Sequence, residues 1–189
     1  MRTVQQPLFT PETEWVPPDH LPDLSSHAEI AIDLETRDPN LLTMGSGSVR
    51  RDGEIVGIAV AVEGWAGYFP IAHEGGGNMD RGLVLDWFEE LLQTTSTKIF
   101  HNAMYDVGWL KHQDIPVNGT LIDTMIAAQI IDENRMGYSL NAVAKDYLGE
   151  KKSETLLYEA AKEWGVDPKG EMYKLPAQFV GPYAEQDAE

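Results

Sequence analysis

The stretch Ala28-Glu29-Ile30-Ala31-Ile32-Asp33-Leu34-Glu35-Thr36 decides how the rest of this 189-residue chain is read. Ala28 to Ile32 is a short, mostly apolar run, the pattern of a buried strand. It leads directly into Asp33. Side chains two apart in a strand point to the same face, so Asp33 and Glu35 project together. Two carboxylates at the end of an otherwise apolar strand are costly unless something neutralises them. Thr36-Arg37-Asp38-Pro39 closes the strand, so the pair lies near its C-terminal end.

Outward from this strand, the pattern predicts a chain of mixed elements. Residues 37–53 contain Gly45-Ser46-Gly47-Ser48 and Arg50-Arg51-Asp52-Gly53, which read as a mobile loop ending in a turn. Ile55 to Val62 is rich in β-branched residues and Trp65 to Ile71 follows after Glu63-Gly64, so the two form a hairpin. Leu83, Trp87, Phe88, Leu91 and Leu92 recur at helical spacing, with Asp80 as a candidate cap. Trp65 and Trp87 fit core positions. Lys98 to His101 reads as a strand, followed by a helix through Leu110, a turn at Pro116 to Gly119 and a short strand at Thr120 to Ile122. Helical pattern then covers about 123–132, 139–147, 153–164 and 177 onward. This order predicts an α/β domain with a mixed sheet and a helical C-terminal layer. Before all of this, residues 1–24 carry Pro7, Pro11, Pro17, Pro18 and Pro22 and show no apolar period, which predicts an irregular arm or linker, with the domain proper spanning 25–189.

Two more motifs place polar residues at helical spacing. They are His101-Asn102-Ala103-Met104-Tyr105-Asp106 and Tyr183-Ala184-Glu185-Gln186-Asp187. Residues four apart in a helix share a face. Asn102 with Asp106, and Tyr183 with Asp187, are therefore expected to aim at one point from each helix. Taken alone, each residue has a plainer reading: Asn102 as a helix cap, Tyr183 as a packed aromatic, Asp187 as a solvated charge. Together with Asp33 and Glu35 they predict one carboxylate cluster built from distant segments. Oxygen-only ligands suit hard cations such as Mg²⁺ or Mn²⁺. Two such ions, roughly 4 Å apart, can stabilise both the attacking and leaving oxygens of a phosphodiester.

Composition narrows the alternatives. There is no cysteine, which excludes disulfides, thiol catalysis and cysteine zinc sites and fits a reducing cytoplasm. No apolar run reaches the roughly 18 residues of a membrane span, and no secretory signal pattern opens the chain. The formal net charge of −17 argues against gripping nucleic acid by bulk charge. His20, His27, His73, His101 and His112 show no metal spacing and read as structural or surface residues. Asp123 reads as a helix cap, and Arg50 and Arg51 as a solvated turn. Gly75-Gly76-Gly77 lacks the Lys-Ser/Thr of a phosphate loop.

The three motifs resemble those of the DEDD exonuclease superfamily, in its tyrosine-bearing (DEDDy) branch. The closer likeness is to the 3′–5′ proofreading domain of family A (polymerase I-like) DNA polymerases, which has bacterial and viral members. It runs from about Ala28 to the last residue, and includes Val56-Gly57-Ile58-Ala59-Val60, Tyr68-Phe69-Pro70-Ile71-Ala72-His73, Asp123-Thr124-Met125, and Tyr138-Ser139-Leu140 through Tyr147-Leu148-Gly149. The resemblance implies an RNase H-like (DnaQ-like) α/β fold with a five-stranded mixed sheet flanked by helices. It implies metal ligation by Asp33, Glu35, Asp106 and Asp187, with Asp33 shared between two Mg²⁺ or Mn²⁺ ions. It further implies that Tyr183 and Glu35 orient the attacking water, and that Asn102, Leu34 and Thr36 touch the substrate strand. Its implied partners are a single-stranded or frayed DNA 3′ end and a polymerase domain C-terminal to Glu189, in the cytoplasm of a bacterium or a virus-infected host. Two other readings share this site: an exoribonuclease like ribonuclease D, and a catalytically silent domain supporting a polymerase.

Overall fold

The computed structural model describes residue 7 and residues 10–149 and 153–189. Its centre is a five-stranded mixed sheet. The strands are β1 (Glu29–Arg37), β2 (Glu54–Val62), β3 (Trp65–Pro70), β4 (Thr97–Phe100) and β5 (Leu121–Asp123), in the order β3-β2-β1-β4-β5. β1 runs antiparallel to β2 and parallel to β4, and β4 is parallel to β5. The remaining elements are α1 (Leu41–Met44), α2 (Gly47–Arg50), α3 (Arg81–Gln93), α4 (Ala103–His112), α5 (Thr124–Ile131), α6 (Leu140–Leu148), α7 (Thr155–Trp164) and α8 (Ala177–Ala188).

Period-2 alternation sorts the two central strands onto two faces. Ile30, Ile32, Leu34, Ile58 and Val60 enter a core with Val84, Phe88 and Leu92 of α3 and Trp109 and Leu110 of α4. The opposite face carries smaller residues, Ala59 and Ala61, with Ala31 half-buried beside them. Small side chains there let α8 lie close to the sheet, so Phe179, Val180 and Ala184 pack on it together with Leu157 and Ala160 of α7. The result is helix, sheet and helix in three layers. Among the described residues, no helix is long and apolar enough to cross a membrane.

The described part of the N-terminal arm up to Leu24 forms neither helix nor strand, but it is tied down. Leu24 is buried in the core. The Trp15 ring rests on α8 at Gly181, where an added Cβ would come within 2.2 Å of it. Its Nε1 donates to Glu185 Oε1 at 3.0 Å.

Two expectations need correcting. Residues 37–53 hold two short helical turns, α1 and α2, rather than one mobile loop. Three side chains organise the segment: Asp38 accepts from Gly47 N at 2.8 Å, Asn40 donates to Asp52 at 2.7 Å, and Arg50 reaches both Asp38 and Asp52. Their spacing follows no helix or strand period, which is why a pattern search reads the segment as loop. Trp65 is 36% exposed at the start of β3, although Phe69 lies beside it; Trp87 does pack, with its ring 4.5 Å from that of Phe69.

Candidate active site

β4 pairs with β1 only as far as Ala31 and Ile99, so the second half of β1 runs on past the end of β4. The Leu34 N–H lies in that half. It donates to Asp106 Oδ1 at 3.1 Å, from the first turn of α4. One residue further, the β1–β2 register shifts between Glu35 and Thr36, a bulge of the kind that re-aims side chains at sites. Glu35 lies opposite Gly57 in the ladder, and the Tyr68 ring fills the space where a Cβ on Gly57 would be.

Three carboxylates converge here from two elements. One oxygen from each of Asp33, Glu35 and Asp187 lies within 4.8 Å of the other two. Glu35 is buried, and Asp33 and Asp187 are half-buried. Such a set fits a hard divalent cation, because charged oxygens this close repel one another unless a cation sits among them. Asp106 adds a fourth acid, 4% exposed. Burial first, and then the negative charge of Asp33, push its carboxyl well above the usual range, while the Leu34 N–H pulls it back. That is the electrostatic signature of a site poised for positive charge.

Tyr183 stands on α8, four residues before Asp187, and is 9% exposed. Burial, then Glu35 and Asp33, raise the pKa of its phenol far above the ordinary value, so the hydroxyl keeps its proton. Its oxygen accepts from Lys169 Nζ at 2.8 Å. Glu185, between Tyr183 and Asp187 in sequence, turns the other way and accepts from Trp15 Nε1 and from the Tyr68 N–H at 3.1 Å.

The proposed substrate contacts lie differently. The Asn102 backbone is left-handed (φ 67°, ψ 51°) and forms the N-cap of α4, so the expected helical pairing with Asp106 does not arise. Asn102 is exposed and its side chain caps nothing. Asp123 instead holds that helix start, accepting from Asn102 N at 3.0 Å and Ala103 N at 2.9 Å while also capping α5 through Met125 N and Ile126 N. The Leu34 side chain is buried in the core on the far face of β1, and its N–H is engaged by Asp106. Thr36 Oγ1 hydrogen-bonds the Tyr105 hydroxyl at 2.7 Å. His73 is internal, bridging the Tyr68 hydroxyl and the Leu175 carbonyl; His101 bridges Thr124 Oγ1 and the Tyr138 carbonyl.

One contribution had no sequence signal and another had only half of one. Lys169 lies outside all three motifs and meets Tyr183 only through the fold. Asp123 is recognisable as a cap for α5, but its second helix is 20 residues back in the chain. A cleft of about 1010 Å³ opens beside the cluster between the sheet, α5 and α6, with Asp187 on its wall and Ile131, Tyr147 and Leu148 among its apolar lining.

Residues 11–189 match a family described as 3′–5′ exonuclease. A DNA-directed DNA polymerase of Pseudomonas phage M6 is 40% identical over 99% of this chain, which spans 29% of that protein. DNA polymerase I of Synechocystis is 30% identical over 53% of the chain and 12% of its own length. The chain thus spans less than a third of these relatives. Among solved structures, Brucella melitensis NrnC bound to pGG superposes with a TM-score of 0.57, at 22% identity, over 88% of this chain and 69% of that one. The Aedes aegypti Nibbler EXO domain gives 0.55, at 14% identity, over 89% and 76%. At these identities the structural matches speak for the fold.

Proposed function

This chain belongs to the 3′–5′ exonuclease domain family of family A (polymerase I-like) DNA polymerases, and from that premise we propose that it trims the 3′ ends of single-stranded or frayed DNA as a proofreading module. The observation that carries the proposal is the convergence of Asp33, Glu35 and Asp187 within 4.8 Å, with Asp106 hydrogen-bonded to the strand between the first two. In this reading Asp33, Glu35 and Asp187 would hold one Mg²⁺ or Mn²⁺, and Asp33 and Asp106 would serve a second. When bound, such ions would supply charge neutralisation for the scissile phosphate and a water activated near neutral pH.

The chain's own residues do the rest. In this reading Glu35, which is buried and whose charge bears on the Tyr183 phenol, orients the attacking water together with Tyr183. Tyr183 holds its proton and therefore acts by donating a hydrogen bond rather than as a base. Asn102, exposed at the head of α4, is the candidate contact to the incoming strand, and Thr36 supports the rim through Tyr105. The net charge of −17 fits a domain whose substrate is delivered by a more basic partner, here proposed to be a polymerase domain C-terminal to this region, in the cytoplasm. Residues 1–24 are assigned to an arm and 25–189 to the nuclease domain itself.

The test is a 5′-labelled single strand incubated with Mg²⁺, as DNA and as RNA of the same sequence. The DNA is expected to shorten one nucleotide at a time from its 3′ end. Faster shortening of the RNA would move the assignment to an exoribonuclease like ribonuclease D. No shortening of either strand, with Mg²⁺ or Mn²⁺, would leave a silent domain.

A further inference from the structure

We propose that Lys169 is a positioning residue for Tyr183, fixing which way the phenol hydroxyl donates; the inference rests on the nuclease reading above. Lys169 Nζ donates to the Tyr183 oxygen at 2.8 Å and lies 4.0 Å from the centroid of its ring. The same ammonium donates to Glu154 Oε1 at 2.7 Å. Glu154 precedes α7 and Tyr183 stands on α8, so Lys169 joins these two helices at the edge of the carboxylate cluster.

An ammonium has only donors. The Tyr183 oxygen must therefore act as acceptor toward Lys169, and its own proton must point away from Lys169. Glu35 and Asp33 are the carboxylates whose charge bears most on that phenol. The hydroxyl is thus held as a donor on the cluster side, where an attacking water would be oriented. Without Lys169 the hydroxyl could rotate and present either its proton or a lone pair.

Lys169 is itself held in place. It occupies a tight turn, Asp167-Pro168-Lys169-Gly170, in which the Asp167 carboxylate accepts from Lys169 N at 3.1 Å and from Gly170 N. Asp167 N donates to Glu171 Oε2 at 3.0 Å, which closes the turn. Asp suits the first position of such a turn because its carboxylate takes the backbone N–H groups that follow. The charge of Lys169 is matched by Glu154, so the ammonium is oriented by an acid outside the cluster and does not need to leave Tyr183 to find one.

The experiment is a double-mutant cycle with Lys169→Met and Tyr183→Phe, assayed on a 5′-labelled DNA strand with Mg²⁺. Lys169→Met is expected to lower kcat about tenfold, the size of one charge-assisted hydrogen bond, with KM unchanged. In the Tyr183→Phe background it should cost nothing further, and Lys169→Arg should restore most of the loss. Equal losses in both backgrounds, a rise in KM, or wild-type kcat in Lys169→Met would each overturn the proposal. A second readout is independent of activity: with 3-fluorotyrosine incorporated, the ¹⁹F resonance assigned to Tyr183 should shift in Lys169→Met, and an unmoved resonance contradicts the contact. If the unaltered chain degrades no DNA, the nuclease reading fails, and the ¹⁹F measurement still decides whether Lys169 sets Tyr183.

Discussion

At the scale of single residues, the site works by placing groups where their usual charge state is strained. Asp106 is pressed toward its neutral form by burial and by Asp33, and Tyr183 is kept protonated by burial and two carboxylates. A buried group outside the cluster gives the cleanest test of such effects. His73 is 3% exposed, and burial lowers its pKa to about 4. In the unfolded chain a histidine binds its proton near pH 6.5, so between about pH 6.5 and 4 the unfolded state takes up the extra proton. The stabilisation from His73 is complete above that window and is lost as pH falls through it, on the order of 3 kcal/mol in all. Urea titrations at pH 7 and pH 4.5 should show the intact chain losing more stability than His73→Gln; parallel losses would contradict this. Asp33 and Glu35 could be read from the sequence because a strand's period of 2 needs no tertiary information. Lys169 could not, because its partner Tyr183 stands 14 residues away across a turn.

At the scale of elements, the site depends on where β4 stops and α4 begins. Beyond Ala31, β1 keeps β2 on one side but has lost β4 on the other, and α4 presents Asp106 to the Leu34 N–H there. Asp123 sets the entry by holding the N-termini of both α4 and α5. Losing a side-chain cap costs about 1 kcal/mol per helix, so Asp123→Ala should lower stability by about 2 kcal/mol. It should also loosen Asp106, and Asp123→Asn should recover part of the loss in chemical denaturation. A variant within about 0.5 kcal/mol of the parent would mean the caps are redundant. The strands and the longer helices were legible, from the apolar run into Asp33, the β-branched run of β2 and the helical stripe of α3, whereas the short turns α1 and α2 were not. The start of α4 was not. A helical pairing of Asn102 with Asp106 presumes that both residues are helical, whereas Asn102 is left-handed with its N–H held by Asp123, a contact that spacing within one motif does not reveal.

At the scale of the whole molecule, three segments distant in sequence meet because a three-layer sandwich stacks α8 on the small-residue face of the sheet. Ala59 and Ala61 leave the room, and α8 fills it with Phe179, Val180 and Ala184 inward. That packing delivers Tyr183 and Asp187 to the carboxylates of β1. Family membership agrees with this arrangement. The central claim is that these segments together form one divalent-cation site. A calorimetric titration of Mn²⁺ into the intact chain and into Asp33→Ala, both with a 3′-terminal mononucleotide present, tests it most directly. The account predicts two ions bound by the intact chain and neither held by Asp33→Ala. Binding in Asp33→Ala indistinguishable from that of the intact chain, or no binding by either, would contradict it.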